Sequence, residues 1–171
     1  MKPETSYAYY KTVVDRKTGA LVHAYFQARF VQEVQRTRRY RHSASFLLVD
    51  IDDYPKLGKR RDTVARAVGK ELKTRVRETD LVGSLGKGRF AILMPETSGQ
   101  AASALAERLR QGVVDMTPKS KTTVSVGISV MEPSNSFLSP EALIELAHTA
   151  LQRAKVTKNK VECDLALPGA F

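Results

Sequence analysis

Apolar residues along the chain fall into two kinds of run, one recurring at helical spacing and one short and nearly continuous. After a turn at Asp15-Arg16-Lys17-Thr18-Gly19, the residues Leu21, Tyr25, Phe26, Ala28, Phe30, Val31 and Val34 recur near helical spacing and predict a helix over 22–40. Ser45-Phe46-Leu47-Leu48-Val49-Asp50-Ile51 is too short for a helix of its own and reads as a strand covered on both faces. Val64, Val68, Leu72 and Val76 repeat every four residues, with charges between them, and predict a helix over 61–77. Two apolar runs, Leu81-Val82-Gly83-Ser84-Leu85 and Arg89-Phe90-Ala91-Ile92-Leu93-Met94, flank a glycine-rich turn as in a β-hairpin. A helix follows over 101–114, its apolar face carrying Ala104, Leu105, Leu109 and Val113, and then a strand of small and β-branched residues over 122–130. Ser139-Pro140-Glu141-Ala142 places Ser at an N-cap and Pro at the first helical position of a helix reaching 155, and the last strand is expected over 160–164. Strands that return repeatedly after helices predict an α/β fold, a mixed central β-sheet flanked by helices with a ferredoxin-like βααββαβ core. Residues 1–14, with three tyrosines and no clear apolar period, read as a lead-in, residues 15–163 as one domain, and 164–171 as a tail.

Composition narrows the class. A chain of 171 residues is one domain by default and buries about 70% of its unfolded surface, enough for a core without disulfides or metal. Cys163 is the single cysteine, which excludes a disulfide framework or a Cys-based zinc site within one chain and suits a reducing compartment; burial in packing is its expected role. No apolar stretch approaches the roughly 18–20 residues of a membrane span, and the polar opening does not resemble a signal peptide, so a cytoplasmic location is expected. His23, His42 and His148 are isolated and make no metal site. With 28 Lys and Arg against 18 Asp and Glu, the net charge of +10 favours anionic partners. Two basic runs stand out, Arg36, Arg38, Arg39 and Arg41, then Lys56, Lys59, Arg60 and Arg61. Without aromatic interleaving or any Trp they read as solvated helix ends and a loop, and nucleic acid is not the expected partner.

Four segments in order carry a more specific signal. Asp15-Arg16-Lys17-Thr18-Gly19-Ala20-Leu21 resembles the D-x-L-T-G-L opening of GGDEF domains, the diguanylate cyclase family, and Leu47-Leu48-Val49-Asp50-Ile51-Asp52-Asp53-Tyr54 resembles its L-x-D-I-D-x-F strand end. The run from Asp80 to Phe90 aligns without gaps on D-x-x-x-R-x-G-G-D-E-F, and Thr123 to Ile128 with Ala147 to Lys155 resembles T-x-S-x-G and A-D-x-A-L-Y-x-A-K. The resemblance covers nearly the whole domain and implies a nucleotide-cyclase palm-like fold. In that family two GTP molecules are condensed to cyclic di-GMP by metal-assisted phosphoryl transfer, with one metal-binding carboxylate ending the first strand and another in the signature.

The chain departs from the family where that chemistry would sit. Asp50 matches the first carboxylate, but Gly88 stands at the second and Arg89 at the acidic residue beside it, while Lys87 replaces the second signature glycine. Gly58 replaces the base-binding Asn, Pro55 a phosphate-side Lys, and Ala67 a second base-contacting Asp; Lys155 matches a retained phosphate-contacting Lys. The expectation is a domain without cyclase activity, with no cofactor and with Asp50 as a relic of the metal site. Asp50, Asp52 and Asp53 form an acidic cluster of a kind that binds divalent ions elsewhere, but relic or turn-capping roles are the preferred reading. Arg77-Glu78-Thr79-Asp80 fits the family's R-x-x-D inhibitory site, the Asp six positions before the signature, and Arg108 stands where a second arginine contributes in some members. The resemblance therefore implies a cyclic di-GMP receptor acting through Arg77, Asp80 and Arg108 on a protein partner or a second copy of itself. A protein-interaction module that binds no nucleotide and a residual diguanylate cyclase are the alternatives. Lys87, Arg89, Lys59 and Arg66 stand where the family places Gly, Glu, Asp and Gly, so these exchanges supply six units of the net +10.

Overall fold

The computed structural model describes residues 13–118, 121–135 and 137–165, so most of the expected lead-in and tail lies outside the described residues. Alternation along β2, Ala44–Ile51, explains why its sequence is apolar throughout: Leu47, Val49 and Ile51 face one core and Phe46 and Leu48 the other. Its neighbours are β4, Arg89–Pro95, and β5, Val124–Met131, both antiparallel to it. The hairpin partner β3, Leu81–Gly86, then β1, Leu21–Val22, and on the far side β6, Val161–Leu165, complete a mixed six-stranded sheet in the order β1-β3-β4-β2-β5-β6. Helix α1, His23–Tyr40, and helix α4, Pro140–Thr157, cover one face with Phe26, Phe30, Val34, Leu143, Ala147 and Leu151. Helix α2, Arg61–Arg75, and helix α3, Gly99–Met116, cover the other with Val64, Val68, Leu72, Leu105, Leu109 and Val113. A 3-10 segment, Tyr54–Arg60, and α2 fill the paired helical places of the βααββαβ core, and α3 fills the third.

The N-caps follow the sequence. Ser98 and Ser139 each accept the amide of the residue three ahead, Ala101 and Ala142, and Pro140 opens α4. At Gly127 the sheet and α4 come so close that a Cβ would stand 2.7 Å from the Leu151 Cα.

Some boundaries differ from expectation for identifiable reasons. Val22, placed at the start of the first helix, instead forms β1 with Leu21, which pairs in parallel with Gly83 and Ser84 and is held by a bridge from Leu21 to Val14. Helix α2 stops at Arg75 because Val76 is extended, with φ −93° and ψ 164°, turning the chain toward β3. β6 continues to Leu165, two residues into the expected tail. Arg38 and Arg39 occupy the last turn of α1, where basic charge opposes the helix dipole, and Tyr40 beside them is exposed. Among the described residues no helix is long and apolar enough to cross a membrane.

Candidate functional site

The β3–β4 hairpin and the end of β2 form one candidate site. Lys87 and Gly88 both have positive φ, 52° and 77°, which gives the tight hairpin turn whose twist suits the flanking strands. The Gly88 carbonyl accepts the Ile51 amide at 3.0 Å, so the turn is tied to β2. Asp50 and Arg89 are direct cross-strand partners. The Arg89 guanidinium donates to Asp50 Oδ2 through Nη2 at 2.9 Å and Nε at 3.3 Å, and Lys155 Nζ reaches the same oxygen at 2.8 Å. Asp50 is buried, whereas Arg89 and Lys155 are partly open to solvent. A carboxylate carrying two cations on one oxygen is already neutralised.

The neighbouring acids are also committed. Asp52 is buried and accepts the Ser125 hydroxyl at 2.8 Å, the Thr123 hydroxyl at 2.7 Å and the Asn159 amide at 3.0 Å. Asp53 meets Lys158 at 2.7 Å and Lys56 at 2.9 Å; the Lys158 and Lys56 hydrogen bonds hold its carboxyl below the usual value. At Gly88 a Cβ would lie 2.6 Å from Tyr54 Cγ, because the Tyr54 ring covers the turn. A divalent ion held against phosphates needs carboxylate oxygens that are free to ligate. One ion-paired aspartate, a side-chain-free Gly88 and a facing guanidinium do not fit it, and no group of three or more His, Cys, Asp or Glu among the described residues could hold one.

The second candidate site is the turn between α2 and β3. Asp80 Oδ2 accepts the Arg77 amide at 2.8 Å, and the Asp80 amide returns a bond to the Arg77 carbonyl at 3.1 Å. Asp80 Oδ1 is buried with no hydrogen-bond partner among the described residues. Burial pushes the Asp80 carboxyl above its ordinary value, outweighing the Arg77 amide and charge that pull it down. The Arg77 side chain is exposed and borders three cavities, one of about 450 Å³ shared with His42, Ser43 and Thr97, and two further ones. Of these two, one of about 680 Å³ is shared with Asp80, Val14 and Leu21; the other, of about 400 Å³, with Arg29, Arg36, Glu33 and Glu96. Arg108 is exposed on α3 and lines none of the three, so Arg77 and Asp80 are brought together and Arg108 is not. Arg29 and Arg36 were missed as neighbours of Arg77. Their spacing across Glu33, at i, i+4 and i+7, marks one helical face, and Glu33 pairs with both at 3.7 and 3.5 Å.

The family model for the diguanylate cyclase GGDEF domain matches residues 12–160. The chain belongs to the GGDEF domain family. Its relatives include the diguanylate cyclase DgcP of Pseudomonas aeruginosa, 32% identical over 157 residues that make up 85% of this chain and 23% of DgcP. The probable diguanylate cyclase DgcC of Escherichia coli K12 is 26% identical over 161 residues, 86% of this chain and 42% of DgcC. The chain thus spans less than half of either relative. Among solved structures, the coiled coil and GGDEF domain of DgcB from Caulobacter crescentus, in complex with c-di-GMP, superposes with a TM-score of 0.83 at 17% identity, covering 94% of this chain and 90% of that one. Diguanylate cyclase SiaD of Pseudomonas aeruginosa, in complex with its activator SiaC, gives 0.83 at 22% identity over 95% of this chain and 65% of that one. At these identities the likeness is one of fold. The β3–β4 hairpin of this chain turns through Gly86-Lys87-Gly88-Arg89-Phe90.

Proposed function

We propose that this GGDEF domain is a cyclic di-GMP receptor without cyclase activity, binding the dinucleotide through Arg77 and Asp80 and relaying occupancy to a protein partner or a second copy of itself. The observation that carries this reading is Asp80 Oδ1, a buried acceptor left unpaired among the described residues, beside an exposed guanidinium. Guanine offers what that arrangement lacks. Its N1–H and N2–H₂ edge donates to a carboxylate, while O6 and N7 accept an arginine fork. An unsatisfied buried acceptor costs about 1–3 kcal/mol, and a ligand donor recovers it. Loss of catalysis is supported separately by the Arg89 and Lys155 pairing of Asp50 and by the Tyr54 ring over Gly88.

Isothermal titration of cyclic di-GMP tests the receptor reading. Binding at or below the order of tens of micromolar, abolished by Arg77→Ala, is the expected result. No heat on folded protein would leave a nucleotide-free interaction module in its place. GTP turnover with magnesium or manganese is expected to give no cyclic di-GMP, and product in that assay would make the domain a cyclase.

A further inference from the structure

Uncompensated positive charge lines a cavity of about 500 Å³ between the 15–19 turn and α2, which adjoins the 680 Å³ cavity at Asp80 through Gly19 and Lys73. Arg16, Lys17, Arg66, Lys70 and Lys73 line it together with Thr18 and Thr74, and no acid among the described residues lines it. Arg66, Lys70 and Lys73 recur at i, i+4 and i+7, which puts three cations on one helical face over about 10 Å. Like charges at that spacing repel, yet the fold fixes them in place. Arg66 Nε donates to the Lys17 carbonyl at 3.2 Å and Lys73 Nζ to the Gly19 carbonyl at 2.8 Å. Those partners are neutral, so the positive charge is oriented and left unbalanced. Lys17 alone is paired with an acid, Asp62 at 3.0 Å, and Arg16 and Lys70 have no ion pair among the described residues.

We propose that this cavity is a metal-independent binding site for a small polyphosphate anion, a group of linked phosphates carrying several negative charges. Linked phosphates concentrate charge on the scale of the cavity and accept the planar fork of Arg66 and Arg16 as well as point charges from Lys70 and Lys73. An extended acidic peptide fits less well, since its same-face side chains repeat only about every 6.6 Å. The site shares no proposed ligand residue with the turn that carries Arg77 and Asp80.

Titration of the 171-residue protein with sodium tripolyphosphate in metal-free buffer containing chelator tests the site. One anion is expected to bind per chain, weakening as salt rises. Arg66→Gln with Lys70→Gln should weaken binding about ten-fold or more, and Arg16→Gln alone about three-fold. Both variants alter exposed side chains, and circular dichroism confirms that they fold. Arg39→Gln and Arg77→Ala should bind as the wild type does, which separates this site from the α1 basic run and from the cyclic di-GMP reading. No heat, several anions per chain, or unchanged binding in the Arg66/Lys70 variant would overturn the proposal. So would tighter binding of a single-stranded oligonucleotide through the same residues, which would assign the cavity to a nucleic-acid backbone.

Discussion

Asp80 is an uneven acceptor, one oxygen paired to the Arg77 amide and the other buried without a partner among the described residues. Because its folded-state pKa is raised, the stability it contributes is complete below about pH 4 and is lost as pH rises through the folded value. Asparagine keeps an oxygen for the Arg77 amide and carries no charge to desolvate. Thermal melts should therefore show Asp80→Asn gaining on the wild type as pH climbs from about 4 toward 7; parallel profiles would contradict the raised pKa. The same variant should lose cyclic di-GMP, since an amide NH₂ opposes the guanine donors. At Gly88 the reverse experiment is informative. Gly88→Asp restores a signature acid in sequence, but φ of 77° and the Tyr54 ring stand against it. A loss of about 1–3 kcal/mol, measured by denaturant titration, is expected, with no gain of cyclase activity. The spacing of Arg77 and Asp80 was legible in the sequence. Which Asp80 oxygen is satisfied was not, because that depends on the extended Val76 and the tight turn after it. The Asp50–Arg89 pair was readable in principle: registering β2 against β4 makes the two residues opposite neighbours.

The end of β2 is an anchoring point for other elements. Asp52 binds the start of β5 through Thr123 and Ser125 and the α4–β6 connection through Asn159, and Asp50 reaches α4 through Lys155. Asp52→Ala would strand two buried or part-buried hydroxyls and an amide, and a cost of about 2–4 kcal/mol in chemical denaturation is expected. Gly127→Ala probes the packing of α4 on β5, where the new methyl would meet helix backbone that has no side-chain freedom to yield; a loss of at least about 2 kcal/mol is expected in the same measurement. Strands buried on both faces and helices with Ser caps were legible because their patterns are local. β1 was not, since two residues with helix-compatible apolar character become a strand only by pairing with β3. Nor was the 3-10 segment 54–60, where Pro55 and a Gly58 at φ 55° break any regular period.

Across the whole molecule, the net charge of +10 is distributed unevenly, with part of it drawn onto Asp50 by Arg89 and Lys155 and part left free beside α2. Ligand binding to the folded state alone should register in global stability. Cyclic di-GMP at about 100 times its Kd would add about 2.7 kcal/mol, and the Tm should rise by about 5–10 °C in the wild type and not in Arg77→Ala. The margins of the sheet carry a separate consequence. β1 is only two residues long, and β6 is flanked by Arg153, which donates to the Cys163 carbonyl at 3.3 Å and to Asp164 at 2.9 Å, while Lys160 pairs with Glu162 at 2.6 Å. Charged side chains and an occupied carbonyl make that border a poor template for an incoming strand. That border is therefore a poor place for the sheet to grow by taking on a strand from another copy.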